Sequence, residues 1–163
     1  MKFKLALLAA VASLAAPAVM TASAQATGLY ASAGYANFNF DVPGDDVNLG
    51  GIQGRLGYSF TPNIAVEGEG TIGVKDDGAN ELNNELGAYV VGKIPVSSQF
   101  DLFARIGVSR TEVNDDDDSG LAYGAGAQWN FTPQDGIRGD WTRHDYDDTD
   151  EFDAWSVSYV RKF

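Results

Sequence analysis

The chain has 163 residues, 23 acidic against 11 basic side chains, a net charge of −12 and no Cys. That length suits one domain. So acidic a chain is a poor nucleic-acid binder, because phosphates must be met by clustered Lys and Arg. Without Cys there are no disulfides, no thiolate metal ligands and no lipid anchor through sulfur.

At the N-terminus, Lys2 and Lys4 precede an apolar stretch from Leu5 to Leu14, and Ala22-Ser23-Ala24 supplies small residues before Gln25. This pattern predicts a cleaved signal peptide over residues 1–24 and a barrel domain over 25–163. A transmembrane anchor needs about 20 strongly apolar residues, and this stretch is shorter and Ala-rich. Cleavage removes two Lys and no acid, which takes the net charge from −12 to −14. No later run is apolar and long enough for a spanning helix.

From Gly28 onward the sequence alternates with the two-residue period of strands. Strand one is expected over Gly28–Phe40, with aromatics on both faces (Tyr35 against Tyr30, Phe38 and Phe40), so its parity stays open. Strand two, Leu49–Phe60, sets Ile52, Leu56, Tyr58 and Phe60 against Gln53, Arg55 and Ser59. Strand three, Asn63–Val74, sets Ile64, Val66, Ile72 and Val74 against Glu67, Glu69 and Thr71. Strand four, Leu82–Ile94, opposes Leu86, Val90 and Ile94 to Glu85, Tyr89 and Lys93. Strand five, Phe100–Val113, opposes Leu102, Ile106 and Val108 to Phe103, Arg105 and Ser109. Strand six is Leu121–Phe131, strand seven Ile137–Tyr146 and strand eight Phe152–Phe163. Strands of about ten residues or slightly more cross a bilayer when tilted.

The connections are of two kinds. One set is acidic: Asp41, Asp45 and Asp46; Asp76, Asp77 and Glu81; Asp115 to Asp118; and Asp145 to Asp153. The other is short: Thr61-Pro62, Pro95 to Gln99, and Thr132 to Gly136. An eight-stranded antiparallel up-and-down barrel puts the two sets at opposite ends, with short turns periplasmic and acidic loops extracellular. The apolar face then meets lipid. Tyr58, Phe60, Trp129, Phe131, Tyr159 and Phe163 form an aromatic girdle near the periplasmic interface, with Trp141 and Trp155 at the middle or outer rim. The predicted inward charges are Arg55, Glu67, Glu69, Glu85, Lys93, Arg105, Arg138, Asp140 and His144. Buried charges require partners, and eight strands leave an interior that side chains can fill. The expectation is therefore a plugged lumen.

Gly28-Leu29-Tyr30, Leu56-Gly57-Tyr58 before Phe60-Thr61-Pro62-Asn63, the matching Phe131-Thr132-Pro133 and terminal Phe163 resemble the small outer-membrane barrel proteins of the OmpA/OmpX type. The resemblance covers nearly all of residues 25–163. It implies a monomer of the Gram-negative outer membrane, in contact with lipid and lipopolysaccharide. It also implies that the assembly machinery reads the strand ending at Phe163. Arg161 departs from the aromatic or apolar residue common two places before the end; its charge can snorkel to the interface.

No catalytic, cofactor-binding or metal-binding residue is assigned. Asp115 to Gly120 resembles the opening of an EF-hand loop, but Gly126 stands where a bidentate Glu is required. Weak Ca²⁺ or Mg²⁺ binding by the acidic loops is a separate expectation, weighed against a plain solvated rim. His144, with Asp140 on its strand face and Ser156 and Ser158 on the next strand, has the residue types of a lipid A-modifying enzyme. The structural use of such a His is favoured. The leading reading is an envelope-integrity or surface-interaction role. Lipid A modification and a narrow passive channel are the alternatives.

Overall fold

The computed structural model describes residues 27–42, 44–75, 82–113, 116–146 and 151–163. The predicted signal peptide and acids 76, 77, 81, 115, 147, 148 and 150 lie outside them. Eight strands follow in order: β1 (Gly28–Val42), β2 (Asp45–Ser59), β3 (Ile64–Lys75), β4 (Leu82–Pro95), β5 (Phe100–Val113), β6 (Asp116–Asn130), β7 (Asp135–Tyr146) and β8 (Glu151–Lys162). Each pairs antiparallel with its neighbour, and β8 pairs with β1 from Tyr30↔Lys162 to Phe40↔Phe152. The sheet is closed, so no edge is left to template another chain. Phe163 prolongs the seam, donating its backbone N–H to Leu29 O at 2.9 Å.

The strand order and facing match the alternation, with two shifts of more than two residues in extent. β2 starts at Asp45 and β6 at Asp116, several residues before the apolar pattern begins. Asp41, Asp45, Asp46 and Asp116 to Asp118 therefore belong to paired strands, in the rows Val42↔Asp45 and Val113↔Asp116 among others. Beyond the bilayer both faces of a strand meet water, so the ladder continues where hydrophobic alternation stops. The β1–β2 hairpin turns tightly, with Gly44 at φ 102°, a conformation that Gly adopts at little cost. The backbone of 116–118 is ladder, which leaves no EF-hand loop there.

At the opposite end the two Phe-Thr-Pro turns share one geometry. Thr61 Oγ accepts from the N–H groups of Asn63 and Ile64, and Thr132 Oγ from those of Gln134 and Asp135. A Thr hydroxyl holds such a turn by mimicking backbone acceptance.

Ile52, Leu56, Ile72, Leu86, Ile94, Leu102, Trp155 and Val157 all face outward and are exposed. The girdle aromatics face outward as well, Tyr58 against Phe60 and Trp129 against Phe131 in edge contacts. Trp141 and Trp155 pair across β7 and β8. A face this apolar is suited to lipid and costly in water. Strand one resolves with Tyr30 and Phe38 inward and Tyr35 outward. Gly57, opposite Tyr30 in the ladder, lies beneath its ring: a Cβ there would stand 2.2 Å from Tyr30 Cζ.

Candidate functional site in the lumen

All nine predicted inward residues point into the barrel, eight of them buried and Lys93 half-buried. Alternation puts them there; the tilt of the strands sets their heights. Three layers result.

The middle layer holds three Arg and three acids. Glu69 of β3 lies between two guanidiniums, bonded by Arg55 Nε and by Arg105 Nη1 at 2.6 Å. Arg55 also donates to both Asp140 oxygens, at 2.7 and 2.9 Å, and to Ser156 Oγ at 3.0 Å. Arg138 links Glu67 and Asp140. Tyr30 donates to Glu67 at 2.7 Å, and Arg105 and Arg138 stack over Tyr89 and Phe103. The layer is neutral and highly connected, which is how buried charges become tolerable.

The layer at the short-turn end is polar. Lys93 donates to Ser59 at 2.9 Å, Asn130 to Asp101 at 2.7 Å, and Lys162 to Asn130 at 3.0 Å. The recess at this mouth, between Tyr30, Lys93, Gln128 and Lys162, offers ≈ 10 Å³, room for about one water. Outside the spanning region, Asp135 in the last turn is held at about 2, below the usual carboxylate value, by hydrogen bonds from Tyr159, Arg161 and Thr132.

The layer at the acidic-hairpin end differs in kind. Ala36, Phe38, Leu49, Tyr146, Phe152 and Ala154 form a buried apolar lid inside the barrel. Beneath it His144 stacks on Phe152 at 4.4 Å. Ser109 Oγ meets His144 Nδ1 at 2.8 Å and Tyr146 Oη at 2.9 Å, and Tyr146 reaches Thr111 at 2.7 Å. Glu85 accepts from Thr71 at 3.1 Å and faces His144 Nε2 at 3.6 Å.

The candidate enzyme set is not assembled. Asp140 and Ser156 do meet, at 3.0 Å, but within the arginine network. His144 bonds Ser109, which sequence reasoning had placed on the inward face without a role. The Ser109, His144 and Glu85 side chains have the order of a nucleophile set, yet they lie inside the barrel under the lid, whereas a lipid approaches the outer wall. Tyr146 and Phe152 were also missed as lid residues. Tyr146 stands two residues after His144, so period two alone points it inward.

The family described as outer membrane protein beta-barrel domain matches residues 5–163. No curated protein matches the chain. Among solved structures, the attachment invasion locus protein Ail of Yersinia pestis is 19% identical with a TM-score of 0.65, over 85% of this chain and 100% of its own. Neisserial surface protein A is 17% identical with a TM-score of 0.66, over 84% and 98%. OprG of Pseudomonas aeruginosa is 12% identical with a TM-score of 0.62, over 84% and 96%. Ail has also been solved with the heparin analogue sucrose octasulfate, at 20% identity, TM-score 0.63 and the same coverage. Identities this low speak for the fold alone.

Proposed function

The chain belongs to the outer membrane protein beta-barrel domain family and is located in the outer membrane; within that family we propose a structural and surface-interaction role, carried out by a barrel whose lumen is plugged. The observation that carries this is the neutral network of Arg55, Arg105 and Arg138 with Glu67, Glu69 and Asp140 across the middle of the lumen. Passage of a solute would require breaking several buried ion pairs at once, each costing about 3–5 kcal/mol when one partner is lost. The role is therefore envelope integrity or contact through the outer hairpins, without chemistry of its own. The test is planar-bilayer recording of the purified barrel at neutral pH. Silent bilayers are expected; steady conductance in the folded protein would overturn the plug.

The acid-rich outer end favours partners of other chemistry than the polyanion bound to Ail. Repulsion between like charges opposes a sulfated glycan here. Lipid and lipopolysaccharide are the proposed neighbours of the wall, and a monomer is the proposed state. The assembly machinery is proposed to engage the strand ending at Phe163. Export is proposed to depend on residues 1–24, and intact-mass analysis of protein from the outer membrane should give a chain starting at Gln25.

A further inference from the structure

The ion pairing of the middle layer leaves Glu85 out. Three Arg meet three acids in the middle layer, and none of the three Arg forms an ion pair with Glu85 among the described residues. Glu85 is nevertheless fully buried. Its Oε2 accepts from Thr71, while its Oε1 has no hydrogen-bond partner. The group facing that oxygen is His144 Nε2, at 3.6 Å. A bare carboxylate in that position would be an uncompensated buried charge, which is strongly disfavoured.

One proton on the pair gives Glu85 Oε1 a partner. Placed on Glu85 Oε1, it donates to His144 Nε2 once the two side chains close by about half an ångström. His144 Nδ1–H then donates to Ser109 Oγ, Ser109 to Tyr146 Oη, and Tyr146 to Thr111 Oγ, over the contacts of 2.8, 2.9 and 2.7 Å. The chain of bonds ends at Thr111, the ladder partner of Glu85. His144 also supports the lid, lying parallel to Phe152 and 6.4 Å from Phe38.

We propose that Glu85 and His144 form a proton-binding latch for the apolar lid: holding one proton, the pair keeps the extracellular half of the lumen dry and shut, and losing it to solvent opens that half to water. The ionisable groups around the pair come from several strands: Arg55 on β2, Glu69 on β3, Tyr89 on β4, Arg105 on β5, Tyr146 on β7 and Asp153 on β8. Among the described residues, β1 and β6 contribute Ala36, Phe38 and Ala122, which are uncharged. Arg55, Arg105 and Asp153 are committed to other ion pairs, so deprotonation of Glu85 leaves a buried charge with no cation paired to it, met only by the neutral donors Thr71 and His144, and entering water lowers its cost.

The test compares wild type with Glu85→Gln, in which the amide stands in for the protonated acid. Both are refolded into bilayers, with heat-shifted gel mobility confirming closure. Two readouts apply. Infrared difference spectra of the wild type at neutral pH should show a protonated-carboxyl band that Glu85→Gln removes. Water-to-ring magnetisation transfer at Phe38 and Phe152, read by NMR, should be absent at neutral pH and grow about tenfold per pH unit as the pair begins to lose its proton. Glu85→Gln should show no transfer over the same range. A neutral-pH spectrum without that band, a wild type without transfer at every pH, or a variant that keeps the alkaline rise would each overturn the latch. The plug at neutral pH is read separately, so its failure and the failure of the latch are distinct results.

Discussion

Replacing Glu69 by Ala isolates the central ion network in one residue. Glu69 is buried and bonded by Arg55 and Arg105 together. Its loss leaves three Arg against two acids and a net positive charge in the middle of the barrel. Breaking a buried pair by removing one partner costs about 3–5 kcal/mol, because the charge left behind is uncompensated. Every 1.4 kcal/mol is about a factor of ten, so folding equilibria should fall roughly a hundred- to several-thousand-fold. The double variant Glu69→Met with Arg105→Met restores neutrality, two Arg against two acids, and fills the space with apolar volume. It should recover a large part of the loss. The assay is reversible urea unfolding in lipid vesicles, read by tryptophan emission. The reasoning is refuted if Glu69→Ala lies within about 1 kcal/mol of wild type, the scale of an exposed ion pair, or if the two single costs simply add in the double variant.

Other expected outcomes follow from local geometry. Gly57→Ala should displace the Tyr30 ring that covers it and break the Tyr30–Glu67 bond, costing about 1–3 kcal/mol; Gly54→Ala, with nothing within 4 Å, should be neutral or stabilising in the same urea assay. Asp135 titrates in the folded state at about 2, below its ordinary 3.8. Its contribution to the last turn is therefore present above the unfolded value and lost as pH falls through about 2. Hydrogen exchange near residues 132–136 should stay slow down to pH 3 and quicken below it, while Asp135→Asn should exchange fast at pH 5; a turn equally protected in the variant would count against this. Deleting Phe163 removes the bond to Leu29 and an exposed girdle ring. Outer-membrane yield should drop severalfold, and unchanged yield would remove the role assigned to this residue.

The two-residue period carries most of the fold, because in a lipid-facing barrel side-chain direction and solvent are the same variable. It points Arg55, Glu69, Arg105 and Asp140 inside without reference to any pairing. Which of them meet was not legible. Arg55 and Asp140 are 85 residues apart, and their height in the lumen depends on the stagger of every strand between. Strand one was ambiguous because an inward aromatic is indistinguishable by composition from a lipid-facing one. Tyr30 is inside because its hydroxyl has Glu67, and Phe38 because the lid is apolar. The lid itself breaks the rule of a polar interior, so Leu49 and Phe152 carried no signal. Asp45 and Asp116 read as loop residues for the converse reason: outside the bilayer, a paired strand needs no hydrophobic residue.

Closure of the chain into a membrane-inserted barrel is the claim on which the plug, the girdle and the latch all depend. It is tested most directly by gel mobility of protein taken from the outer-membrane fraction, with and without boiling. The account predicts a folded band that shifts when boiled, with the protein absent from the soluble periplasm. A soluble protein whose mobility is the same in both conditions would contradict it.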